Sequence, residues 1–211
     1  MHGWWRTVLC IATGVLAAPL AAQVPAPGPA FLQMVAVGPE AGAPAPFDTR
    51  WSIFLDGYID DEAALRLARF ADRRDVSGAI VFLNSSEGRM KPAMALGRLL
   101  RARGFETRVG ARGAGSGRVL PGVCYSACAF AFAGGVQRSL DAGSVLGVRR
   151  MDPGPQALEE TARERRERFE PLNYLAEMGI DAGLLELMET VPYGTIRPLS
   201  AEEIRRFGLL P

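Results

Sequence analysis

The sequence predicts a single α/β domain, and three observations carry that expectation. Ala79-Ile80-Val81-Phe82-Leu83 is a continuous apolar run of the kind that fills a parallel strand covered on both faces. An alternating segment and a helical stretch precede it, which makes a strand-helix-strand unit. A polar loop, Asn84-Ser85-Ser86-Glu87-Gly88, follows at the C-terminal edge of the strand, where open α/β folds place their ligands.

Taken in order, residues 51–56 alternate Trp51, Ile53 and Leu55 with Ser52, Phe54 and Asp56 and read as the first strand. The helix after 57–61 has Ala64, Leu65, Ala68 and Phe70 as its apolar face, with Arg66, Arg69, Arg73 and Arg74 outward. A second helix spans 90–103 on Met94, Leu96, Leu99 and Leu100, and Gly104 ends it. Residues 105–109 are the next strand. The stretch 110–117 holds Gly-Ala-Gly-Ser-Gly, but no lysine-serine or lysine-threonine pair closes it, so it reads as a mobile surface insertion and not a phosphate cradle.

Residues 121–135 are the centre of the chain. Ala127, Ala129, Ala131 and Ala133, with Phe130 and Phe132 between them, suit a buried helix packed tightly on a sheet. Ser126 carries the one aliphatic hydroxyl of the small apolar run that follows the Pro121-Gly122 turn, and it has two readings. It caps the helix, as serines at helix starts do. Alternatively, its oxygen stands beside the first helical amides, which have no intrahelical partner and favour an anion or oxyanion.

After this helix, 138–141 and 144–148 read as two short strands, the second ending at Arg149-Arg150. Residues 155–168 are nearly all charge, with Glu159 and Arg163, and Glu164 and Arg168, four apart. This is a solvated arm that Pro171 kinks or restarts. Leu172, Leu175, Ala176 and Met178 return to an apolar face, and Gly179 stops the helix. Asp181 caps another helix through 188, Ser200 with Glu203 is a capping box for the last, and 207–210 close the core.

Composition bounds the function. With 211 residues, 48% hydrophobic and 22% charged, the chain builds one sizeable core. A net charge of +1 and the lack of a basic block interleaved with aromatics argue against a nucleic-acid partner. His2 and Arg6, an apolar run over 7–16 and small residues over 17–22 read as an export signal, residues 1–22, followed by a flexible Pro/Ala/Gly-rich tether, 23–49, and a folded domain, 50–211. The expected location is periplasmic or secreted, or membrane-anchored if the leader is uncleaved. Loss of the leader removes Cys10 and leaves Cys124 and Cys128 in an oxidising compartment, where they form a disulfide or stay as two small buried apolar residues. Two thiols without a histidine make a poor zinc shell, so no metal and no cofactor is expected.

In this order the pieces become recognisable. Residues 50–61, 80–88, 124–135, 144–152 and 199–210 together resemble the Clp protease proteolytic subunit of the Clp-protease/crotonase (ClpP/crotonase-like) superfamily. The segments Cys-Tyr-Ser-Ala-Cys (124–128), Gly134-Gly135 and Leu146-Gly147-Val148 are most similar to its exported relatives. The resemblance spans residues 50–210. It implies a spiral of β-β-α units, a nucleophile at Ser126, an oxyanion hole from the amides of Ala127 and Gly88, a peptide-like or acyl ligand, and a homo-oligomer built through the charged helix.

The departures from the family carry equal weight. Ser86-Glu87-Gly88 stands where the family has Pro-Gly-Gly. Arg149 occupies the place of the family histidine, and arginine is no base near neutral pH. Glu189 is the best match to the family aspartate. Lys91 and Glu87 are the alternative bases, and a Glu87–Arg149 ion pair would plug the site. The sequence therefore points to a non-catalytic peptide- or acyl-binding or assembly protein, with a serine hydrolase of the Ser-Lys or Ser-Glu kind as the alternative.

Overall fold

The computed structural model describes residues 31–40, 47, 49–113, 118–151 and 162–210, the side chains of 162–168 apart. Its first strand, β1 (Leu32–Val37), pairs antiparallel with β2 (Ser52–Gly57). Residues 32–37 are thus sheet and not flexible tether. Leu32, Met34 and Ala36 alternate along β1 and pack on the core, a strand pattern hidden by the Pro/Ala/Gly-rich residues around it. A clamp fixes its start: the Asp60 carboxylate accepts from the Leu32 N–H at 2.9 Å, and Arg66 donates to the Leu32 carbonyl at 3.1 Å. The expected leader, 1–22, lies outside the described residues.

Helix α1 (Ala63–Ala71) buries Ala63, Leu67 and Ala71, while Leu65 is 46% exposed. The expected face is corrected by a rotation of the helix that puts its i, i+4, i+8 row into the core. β3 (Ile80–Asn84) is the apolar run, paired parallel with β2 and with β4 (Glu106–Val109). Between them, α2 (Met90–Ala102) ends at Gly104, whose φ of 65° suits glycine. The ends of the glycine-rich insertion pair as a hairpin, β5 (Ala111–Arg112) with β6 (Val119–Leu120), and 114–117 lie outside the described residues.

β7 (Val123–Tyr125) leads directly into α3 (Ala127–Ala133), whose seven residues are all buried. β8 (Arg138–Leu140) completes a five-stranded sheet in the order β1-β2-β3-β4-β8. β9 (Val145–Val148) pairs parallel with β7, and β10 (Arg197–Pro198) pairs antiparallel with β9 in a three-stranded sheet. The helices α4 (Ala162–Glu177), α5 (Gly183–Thr190) and α6 (Ala201–Arg206) complete the mixed α/β domain.

α4 runs through Pro171 without restarting and buries Pro171, Tyr174 and Leu175, with Met178 buried just past its end, whereas Leu172 and Ala176 are exposed. The expected pairs within 159–168 lie outside the described side chains. Ser200 and Glu203 form the capping box in both directions, and Phe207 and Leu209 are buried as expected.

The core lies between the five-stranded sheet and the helices, with α3 against α2. The other face of the sheet is not bare. Phe82, Phe54 and Phe47 stack across it with ring centroids 4.6 and 6.2 Å apart, which is why β2 is buried on both sides despite its alternating sequence.

Candidate functional site

The turn between β7 and α3 is one residue long, and that residue is Ser126. Its φ is 57° and its ψ is −117°, and no other non-glycine among the described residues has a positive φ. An L-residue held there costs roughly 1 to 3 kcal/mol. The hydroxyl makes no capping hydrogen bond, so the capping reading is overturned. The physical reason is the sharpness of the turn. A capping serine sits in extended backbone that lets its oxygen reach the second or third amide of the helix, and Ser126 is far from that conformation. A serine lifted on a strained strand-to-helix turn is the geometry that presents a nucleophile.

Four contacts hold the turn. The Ser126 N–H donates to the Gly147 carbonyl at 3.0 Å, and the Ser126 carbonyl accepts from the Ala129 N–H at 3.0 Å. Cys124 and Cys128 are joined by a disulfide whose Cα atoms are 5.1 Å apart, bracketing the serine. Tyr125 lies in register with Gly147, whose missing side chain matters: a Cβ there would be 2.9 Å from the Tyr125 ring.

The loop after β3 is tied to the same turn. The Ser85 N–H donates to the Val123 carbonyl at 2.8 Å, and the Tyr125 N–H donates to the Ser85 carbonyl at 2.9 Å. Ser85 is buried and its hydroxyl donates to the Glu87 carbonyl at 2.8 Å. On the far side, the Ile59 N–H donates to the Glu87 carbonyl at 3.2 Å and the Arg89 N–H to the Ile59 carbonyl at 3.0 Å. Gly88 faces Ile59 closely, with room for no Cβ, since one would sit 2.7 Å from that of Ile59. In extended backbone successive amides point opposite ways, so the Gly88 N–H points away from Ile59.

Asn84 and Ser85 are the residues that sequence reasoning underused. Asn84 accepts from the Val123 N–H at 3.0 Å and donates to Asp56 at 3.0 Å, which couples two strand ends to β7. Burial pushes the Asp56 carboxyl up, against the Asn84 hydrogen bond and the field of Arg112. The signal was in the sequence: a polar pair closing an apolar strand.

Among the expected bases, Lys91 and Glu87 are both exposed. Glu87 and Arg149 form no ion pair, so the plug is not made, and Arg89 pairs with Asp61 instead. Glu189 is exposed and pairs with Arg150 at 3.3 Å, beside the position expected to need an orienting carboxylate. Arg149 follows β9 directly, two residues past the carbonyl that receives the Ser126 N–H. Its Nε is buried without a hydrogen-bond partner. Among the described residues, no group of three or more His, Cys, Asp or Glu side chains could hold a metal ion, and no helix is long and apolar enough to cross a membrane.

No protein-family model matches the chain, and no curated protein matches it in sequence. Among solved structures 381 chains match it, and likeness of fold transmits no activity by itself. One of them is a mutant of 1510-N, a membrane-bound stomatin-specific protease, at a TM-score of 0.50 and 15% identity, with 75% of each chain covered. The chain is similar to a protease in fold.

Proposed function

We propose that this protein is an exported member of the ClpP/crotonase-like group, a spiral of β-β-α units that keeps the serine turn of a peptidase and lacks a base to drive it. It holds a peptide or acyl group at Ser126 and does not cleave it. The observation that carries this reading is the surroundings of the hydroxyl. No side chain among the described residues accepts its proton, and the residue at the family histidine position is Arg149, an obligate cation. The only histidine of the chain is residue 2, and the only lysine is Lys91. The amides of Ala127 and Gly88 would polarise a carbonyl placed over the turn. Assembly into a homo-oligomer through α4 belongs to the same reading, and Phe169 and Leu172 are 45% and 39% exposed on that helix.

One observation favours a second reading, a serine hydrolase with Lys91 or Glu87 as base. The backbone at Ser126 is still strained, and strain of this kind clusters where a hydroxyl does chemistry. Labelling with a fluorophosphonate probe separates the two. Expected is the same labelling of the wild type and Ser126→Ala, at background. Labelling that requires Ser126 would overturn the non-catalytic reading in favour of the hydrolase.

A further inference from the structure

Most guanidinium groups of the described residues are engaged. Arg150 pairs with Glu189 at 3.3 Å, Arg197 with Glu203 at 2.6 Å and Arg108 with Asp141 at 2.7 Å, while Arg101 and Arg138 donate to backbone carbonyls at the end of α3. Arg149 is different. Arg108 and Arg197 also keep one buried nitrogen without a partner, but each has a carboxylate on another; Arg149 is half-buried, its Nε has no acceptor, and no carboxylate among the described residues pairs with it. Burying a charged donor without an acceptor is unfavourable, and a guanidinium fork is shaped to receive a carboxylate.

Its position makes the missing acceptor informative. Tyr125 and Gly147 are opposite each other across β7 and β9, and the Ser126 N–H is bonded to the Gly147 carbonyl. Side chains alternate along a strand, so Arg149 leaves β9 on the same face as Gly147 and Tyr125. On β10 the residue opposite Arg149 is Ile196, given that Arg197 is opposite Val148, and Ile196 is 38% exposed. Around one turn there therefore lie a hydroxyl and a cation, neither of which finds a side-chain partner among the described residues, and an accessible apolar side chain.

We infer that Ser126 and Arg149 together receive the free carboxylate of a peptide C terminus, the Ser126 hydroxyl donating one hydrogen bond and the Arg149 guanidinium supplying the counter-charge. The Gly88 N–H, turned away from Ile59, is available to the carbonyl of the preceding peptide bond, a group that a simple fatty acid does not have. This rests on the binding reading above and deepens it by naming the ligand class. It also gives an arginine at this position a purpose, since a planar guanidinium fork matches a carboxylate in charge and geometry.

The test uses the full chain and a fluorescein-labelled pool of mixed-sequence pentapeptides, made once with free C termini and once amidated, read by fluorescence polarisation. Expected is binding of the acid pool at least about tenfold tighter than the amide pool, a similar loss in Arg149→Gln, and a change within about twofold in Arg150→Gln. Arg149→Lys, which keeps the charge and loses the fork, falls between. The acid-amide comparison on the unmutated protein needs no variant to fold. Equal binding of both pools would overturn the carboxylate assignment and leave the binding reading standing. Binding of neither pool would overturn both.

Discussion

At position 126 a serine holds a backbone conformation that glycine adopts freely, and the rest of the turn is built to keep it there. This leads to a prediction about stability that is independent of any activity. Ser126→Gly relieves the backbone, whereas Ser126→Ala removes the hydroxyl and keeps the strain. Chemical denaturation is expected to find the glycine variant more stable than the alanine variant by about 1 kcal/mol or more. Equal stabilities would mean that the turn is not strained. The hydroxyl itself makes no capping bond, so Ser126→Ala alone is expected to change stability by less than the ~1 kcal/mol typical of losing a helix cap.

Among the elements, the contact of α2 with α3 positions the serine turn, and it depends on the absence of side chains. A Cβ on Gly97 would lie 1.8 Å from the Tyr174 hydroxyl, and one on Gly134 would lie 2.2 Å from the Gly97 carbonyl oxygen. Tyr174, fully buried on α4, donates from that hydroxyl to the Phe130 carbonyl of α3 at 2.6 Å, so three helices meet at one point. Burial pushes the Tyr174 phenol well above its ordinary range, which keeps it a donor throughout the physiological range. Gly97→Ala must displace this ring and is expected to destabilise by at least ~2 kcal/mol in thermal or denaturant unfolding.

The disulfide is a second constraint at this scale. It closes a short loop around the serine, and replacing both Cys124 and Cys128 by alanine is expected to lower stability by roughly 2 kcal/mol, with the fold retained by circular dichroism.

For the molecule as a whole, the Asp60 clamp decides how the first strand joins the domain. Burial pushes the Asp60 carboxyl up, but hydrogen bonds from Arg66 and from the N–H groups of Leu32 and Glu62 outweigh it and bring the pKa down to about 2. A carboxyl held below its ordinary value stabilises the fold fully above pH ~4, and the contribution fades as pH falls toward 2. Asp60→Asn is expected to lower stability by roughly 1 to 2 kcal/mol at neutral pH and to flatten the acid limb of the stability curve over that window. Denaturation midpoints between pH 2 and 7 check both parts. If the variant kept the wild-type slope, the clamp would not be coupled to folding.

Patterns of apolar spacing determined much of this protein. The buried run that became β3, the all-buried alanine-phenylalanine helix, the glycine stops at 104 and 179 and the capping box at Ser200 were legible because each is a local property, readable within a few neighbours. The tertiary structure alone decided the rest. β1 is short and set in Pro/Ala/Gly-rich sequence, and only its pairing to β2 and the clamp on Leu32 give it a place. The rotation of α1 and of α4 about their axes came from the sheet and helices they pack on, since each sequence offered more apolar residues than one face could bury. At the site, the residue types were visible from the start, but whether Ser126 caps a helix or stands clear of it depends on one dihedral angle, and that angle is set by partners distant in sequence, Gly147 among them.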